Sequence, residues 1–238
     1  MQKLSLLFTK DGLQWHISKG KSVSQEASYF VSEETSAHLV EEQLNEILSK
    51  DEYQEIAVFS ALNHFSLTPD TFAEHDLGYQ LISYNAPVDE AKEELMLSVN
   101  KKFGIQFYYT FPKDFYQKIK AKNIPAKFNF SGEKFLNSIS VKNKKEIHIN
   151  LFHHQVEFFA FEDKKVILYN NLDADAEVDF LYFIMFSLSK IGFGAAETHF
   201  HIYGETTENE TFISELKKFV KHLQIHFENS SKKNFILS

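Results

Sequence analysis

The chain has 238 residues, a formal charge of −8 and a hydrophobic content of 43%, with 25 Phe and 10 Tyr. That apolar mass can bury the core of one large domain or of two lobes, which excludes a disordered chain. Cysteine and arginine are both absent, excluding disulfides, thiolate chemistry and bidentate phosphate forks, and the acidic balance argues against nucleic acid or an anionic membrane as partner.

In chain order, LSLLFTKDGLQWHI (Leu4–Ile17) alternates with period two on either side of Lys10-Asp11-Gly12. That pattern predicts a β-hairpin closed by an Asp-Gly turn. A third strand is expected at Ala27–Val31, and the spacing of Leu39, Val40, Leu44, Ile47 and Leu48 predicts a helix. EIAVFSA (Glu55–Ala61) reads as the next strand. Residues 62–145 hold all four prolines and read as an inserted α+β subdomain. It should contain strands near Glu94–Val99 and Ile105–Tyr109, a helix from Pro112, and a strand–helix piece over KFNFSGEKFLNSIS. The basic turn Lys142–Lys145 then leads into a second lobe.

That lobe repeats the first at an offset of 143 positions. IHINLFHHQVEFFA (Ile147–Ala160) lies over the opening hairpin, with His153-His154-Gln155 as its turn. A strand follows at Lys165–Asn170, a helix at Asp179–Ile191, and a strand over THFHIYG (Thr198–Gly204). The helix is apolar all round, which predicts burial on most of its circumference. It is too short for a membrane span, with Asp179 before it and Lys190 inside it. Phe212, Leu216, Phe219, Val220 and Leu223 predict a closing amphipathic helix. The expected domains are 1–145 and 146–238.

Individual signals are weighed against plainer readings. His153 and His154 fall in a turn, and neighbours on a strand point to opposite faces, so they do not suggest a chelate. His199 and His201 share a face, and two imidazoles could hold zinc or nickel with a third ligand from Glu197 or Glu205. The preferred reading puts Phe200 and Ile202 on the core face and the histidines on the polar one, with no metal. Asp173, Asp175, Glu177 and Asp179 lack the glycine and terminal glutamate of a calcium loop and read as helix caps or first-turn acids. Ser24, Ser28 and Ser36 have no nucleophile context, so no catalytic residue is expected. The rings of FYYTFPKDFY (Phe107–Tyr116) and VEFFAF (Val156–Phe161) read mostly as core, and any exposed would form a protein-binding patch.

Three stretches carry a resemblance: the opening LSLLFTKDGLQWHI, the block NNLDADAEVDFLYFIMFSLSKIG and the strand ending HFHIYGE. On these, and on the repeated element order, the chain resembles the actin, sugar-kinase and Hsp70 superfamily. Within it, the chain looks like an uncharacterised Bacteroidetes family, a domain of unknown function with an actin-like ATPase fold, and it is similar to PilM-type pilus-assembly proteins. The resemblance implies an α/β fold of duplicated βββαβα lobes, of the ribonuclease H-like type, facing each other across a nucleotide cleft. In active members the first strand of each lobe ends in Asp-x-Gly. The matching positions here are Leu7, Phe8, Thr9 and Asn150, Leu151, Phe152, so both acids and both glycines are missing. The family's late Gly-Gly pair reads Gly204-Glu205. Lys10, Asp11, Gly12, His153, His154, Gly204 and Glu205 therefore mark a degenerate interlobe cleft. The function implied is a non-catalytic scaffold or adaptor with a protein partner, without cofactor, nucleic acid or membrane insertion, expected in the cytoplasm. The competing reading keeps ATP and Mg²⁺ through a shifted register in which Lys10-Asp11-Gly12 serves as the phosphate loop.

Overall fold

Apolar alternation shapes the two five-stranded sheets. The computed structural model describes residues 2–20, 22–30, 38–50, 52–173, 176–206, 210–226 and 234–237. The chain divides into two compact units, residues 1–134 with 236–238, and residues 135–235.

In the first unit, β1 (Gln2–Thr9), β2 (Gly12–Lys19) and β3 (Ser22–Phe30) run antiparallel, joined by the predicted Lys10-Asp11 turn. Helix α1 (His38–Ser49) carries the chain across to β4 (Glu55–Ser60), which pairs parallel with β1. A parallel partner needs such a crossover because a tight turn can only reverse direction. Leu4, Leu6, Phe8, Leu13, Trp15 and Ile17 point to one face of the sheet and pack on Val40, Leu44, Ile47 and Leu48 of α1. Each such side chain, fully buried, contributes roughly 1.5–3 kcal/mol.

The segment after β4 contains β5 (Phe65–Pro69), α2 (Gly78–Ser83), β6 (Glu93–Asn100), β7 (Ile105–Pro112) and α3 (Lys113–Ala121). Its three strands form a separate antiparallel sheet in the order β5-β7-β6. Strand β5 escapes the sequence pattern because Phe-Ser-Leu-Thr alternates over only four residues before Pro69 ends it, as suits an edge strand. Pro112 caps α3 rather than entering it. The expected strand–helix piece is present as β8 (Ala126–Phe130) and α4 (Ser131–Ser138). Strand β8 is no part of an inserted subdomain, however. It pairs parallel with β4, from Ile56↔Ala126 to Ser60↔Phe130, and completes the order β3-β2-β1-β4-β8.

The second unit begins at Phe135, whose ring meets Phe159, Tyr203 and Phe235 at 5.3–5.9 Å. It repeats the order of the first: β9 (Lys145–Leu151), β10 (Gln155–Glu162), β11 (Lys165–Asp173), α5 (Glu177–Lys190), β12 (His199–Gly204), α6 (Glu210–Leu216) and β13 (His222–Ile225). The sheet order β11-β10-β9-β12-β13 matches the first sheet position for position. The two hairpins lie in separate sheets.

Two expectations are corrected here. The closing helix stops at Leu216, and Leu223 lies on β13, parallel to β12 with His199↔His222 in register. Helical spacing over Phe212–Leu223 competes with alternation in His-Leu-Gln-Ile, and pairing with an open sheet edge favours the strand. Helix α5 is not buried all round. Phe180, Leu181, Ile184 and Leu188 enter the core, but Val178, Tyr182, Phe183 and Phe186 are 39–64% exposed. Apolar character set its stickiness, whereas a single sheet beneath it can cover only one face.

The N-cap of α5 is Ala176, without a side-chain hydrogen bond, so no acid caps it, while Glu177 and Asp179 fall in its first turn as expected. Asp175 and Ser36 lie outside the described residues. The two aromatic stretches are core as expected: Phe107, Tyr108, Tyr109, Phe111, Phe158, Phe159 and Phe161 are at most 1% exposed. Among the described residues no helix is long and apolar enough to cross a membrane.

Candidate functional site

Strands β9 and β12 are each buried on two faces. Ile147, Ile149, Leu151, Phe200 and Ile202 point into the core beneath α5. The alternate residues therefore point the other way, and Glu146, His148, Asn150, His201 and Tyr203 form a second, polar layer that is also buried. Parallel register places His148 directly opposite His201 and Asn150 opposite Tyr203. Strand β13 adds His222 opposite His199, and His226 follows it. Five of the chain's eleven histidines thus share one sheet face.

The layer is held by a specific network. Glu146 is fully buried, and its Oε1 accepts hydrogen bonds from the Lys142 N–H at 2.9 Å, the Asn143 N–H at 2.5 Å and Asn143 Nδ2 at 2.7 Å. The basic turn Lys142–Lys145 thus supplies a backbone clasp on this carboxylate. Oε2 of Glu146 meets His148 Nε2 at 2.9 Å, and His148 Nδ1 meets the Tyr203 hydroxyl at 3.0 Å. A carboxylate only accepts, so His148 Nε2 carries the proton and Tyr203 donates to Nδ1. His201 stacks on His148 with ring centroids 4.5 Å apart and an 11° tilt, and its Nδ1 meets His226 Nε2 at 2.8 Å. A cavity of about 550 Å³ opens beside the cluster, lined by Lys142, His199, His222 and Gln224 among others.

Electrostatics follow from burial. Desolvation works to raise the Glu146 pKa, but the His148, Asn143 and Lys142 hydrogen bonds outweigh it and hold the group at about 2. Burial lowers His148, opposed by Glu146. Burial, with the neighbouring His148, lowers His201 to about 4. All three depressed groups bind protons more readily when unfolded, so stability must fall with falling pH. Tm is expected to decline as pH drops from 6.5 towards 4, as buried His201 is forced to charge, and further from 4.5 towards 2 as Glu146 protonates. His201→Gln should flatten the upper part of that decline. A Tm constant between pH 7 and 4 would count against the buried network.

The positions singled out by sequence lie elsewhere in these units. Lys10 is exposed and Asp11 half-buried in the β1–β2 turn, with Gly12 opening β2. Leu7, Phe8 and Thr9 before it are buried. His153 and His154 form the β9–β10 turn, where strand alternation does not apply, and their rings approach to 4.0 Å. Gly204 and Glu205 reach the same end of β9: Gly204 pairs with Leu151, and the Glu205 N–H donates to the Leu151 carbonyl at 2.9 Å. Asn150 donates Nδ2 to Glu157 at 2.7 Å and accepts from Asn234 Nδ2 at 2.9 Å. Phe152 is 1% exposed.

His201 was singled out by its spacing, but its neighbours are Glu146 and His148 of β9, not Glu197 or Glu205. Glu146, His148, Tyr203 and His226 were missed. A signal did exist: Glu146-x-His148 and His199-x-His201 fall on two strands that the repeat makes neighbours.

The comparisons agree with this architecture. A protein from Bacteroides thetaiotaomicron described as having an actin-like ATPase fold and unknown function matches at TM-score 0.80 and 19% identity, over 99% of this chain and 93% of that one. The PilM–PilN type IV pilus biogenesis complex matches at TM-score 0.64 and 9% identity, over 99% and 96%. The cytoplasmic domain of EpsL from Vibrio cholerae matches at TM-score 0.54 and 8% identity, over 100% and 92%. At these identities the likeness establishes the actin-like fold alone. No curated protein matches the chain. The family model described as Protein of unknown function (DUF3822) matches residues 1–223, and the chain belongs to that family.

Proposed function

We propose that the protein is a non-catalytic actin-like scaffold that binds a protein partner. The observation that carries this reading is the state of Asn150. An acid there would serve the metal and attacking water in an active relative; here a side-chain amide spans Glu157 and Asn234 inside a buried network. An aspartate could not donate to Glu157 and would set two carboxylates against each other, which the low-dielectric interior penalises. Phe152 occupies the glycine position beside it, and Glu205 adds a carboxylate where phosphate would approach, with no arginine in the chain to offset it. For the partner, the similar PilM is solved together with PilN, and the exposed rings of Tyr182, Phe183 and Phe186 suit protein contact better than solvent.

The test is a thermal melt and a phosphate-release assay with Mg-ATP. A ligand bound only to the native state stabilises it by about 2.7 kcal/mol at a hundredfold excess over Kd. No rise in Tm and no release above background are expected. Asn150→Asp, which restores the acid, should lower Tm without adding activity. Phosphate release that disappears in Asp11→Asn would overturn the proposal in favour of a phosphate loop at Lys10-Asp11-Gly12.

A further inference from the structure

We propose that Glu146, His148 and His201 form a binding site for a divalent first-row transition ion of the zinc class. The three side chains come from two neighbouring strands, and one oxygen or nitrogen from each lies within 4.8 Å of the others. His148 Nε2 and His201 Nε2 stand 2.9 and 3.9 Å from Glu146 Oε2. Bonds of about 2.0–2.1 Å to a tetrahedral ion place ligand atoms roughly 3.3–3.4 Å apart. The His148 contact must therefore open slightly, the His201 contact close by roughly half an ångström, and the two stacked imidazoles tilt so that both Nε2 atoms face the ion.

The rest of the arrangement favours an ion. Each ligand has its remaining polar atom already held: Glu146 Oε1 by three N–H donors, His148 Nδ1 by Tyr203, and His201 Nδ1 by His226. Such outer partners fix the orientation of metal-binding histidines. His201 Nε2 is buried and has no hydrogen-bond partner among the described residues. An orphaned buried polar atom is destabilising because its lost hydration is not replaced, and an ion would satisfy it. His148 would pass its proton from Nε2 to Nδ1, which then donates to the Tyr203 oxygen. Three protein ligands leave a fourth position, and the cavity of about 550 Å³ can supply water or a small ligand there. Imidazole and carboxylate without thiolate suit Zn²⁺, Co²⁺ or Ni²⁺, whereas Ca²⁺ and Mg²⁺ require oxygen-rich shells.

The experiment uses the full chain, stripped with a chelator and titrated with Zn²⁺ against a competing indicator. One Zn²⁺ per chain and a raised Tm are expected, with no rise for Mg²⁺ or Ca²⁺. His201→Ala should weaken binding at least about a hundredfold, and the outer-partner variant His226→Gln about 10- to 100-fold. His38→Ala, on the exposed side of α1, should leave it unchanged. Imidazole NMR on the unaltered chain provides a reading independent of how the variants fold: Zn²⁺ should shift the His148 and His201 resonances. The proposal is overturned by no Zn²⁺ uptake, by uptake unchanged in folded His201→Ala, or by Zn²⁺ shifts confined to His153 and His154.

Discussion

Gly204→Ala is expected to destabilise the chain by about 3–5 kcal/mol in urea unfolding. Gly204 ends β12 with φ +85°, and a Cβ there would lie 2.2 Å from the Leu151 carbonyl oxygen, 2.5 Å from Asn150 Oδ1 and 2.9 Å from Asn234 Nδ2. The first contact is with backbone, which cannot rotate away. The Leu151 carbonyl also accepts from the Glu205 N–H and from Asn234, both at 2.9 Å, so relief of the clash breaks bonds worth about 1 kcal/mol each. Gly192 provides the control. It has φ +72° with nothing within 4 Å, so Gly192→Ala isolates the conformational penalty, about 1–2 kcal/mol. Equal losses for the two variants would mean that the packing around Gly204 is looser than described.

Phe180→Ala is expected to cost about 3–5 kcal/mol, and Phe186→Ala less than about 1 kcal/mol, although the two residues share one helix. Phe180 is 1% exposed and sits in the core with its ring 6.3 Å from that of Phe212. Its removal leaves a cavity that the sheet beneath cannot fill. Phe186 is 49% exposed; its neighbours are the Tyr182 ring at 6.1 Å and Lys190 Nζ at 5.0 Å. Solvated contacts of that kind are worth about 0.5–1 kcal/mol. A large loss at Phe186 in the isolated chain would show that α5 buries both faces.

This pair of residues also marks a limit of the sequence. In FLYFIMFSLSK the apolar positions run round the whole helix, so hydropathy predicts a helix without choosing the face that enters the core. The same limit applies to β9. Alternation in Glu-Ile-His-Ile-Asn separates two sets of residues, yet nothing local distinguishes a polar set facing water from one buried as deeply as Glu146 and Asn150. Local signals were reliable where the chemistry itself is local. The Lys10-Asp11 turn, helix α1, and the strands Glu55–Ser60 and His199–Gly204 follow from turn residues and periodicity within a few positions.

By itself, then, the sequence determined the alternating strands of the two hairpins, the Lys10-Asp11 turn and helix α1, because each rests on residues within a few positions of one another. The tertiary structure decided that β8 and β13 close the two sheets, which face of α5 stays exposed, and that Glu146 and His148 meet His201 and His226. The strand and imidazole placements depend on parallel pairing between residues 23 to 70 positions apart, such as His199↔His222 and Ile56↔Ala126. A shift of one residue in the β9–β12 pairing would turn His199 and His201 to the face opposite His148, and only competition among packed faces selects the register.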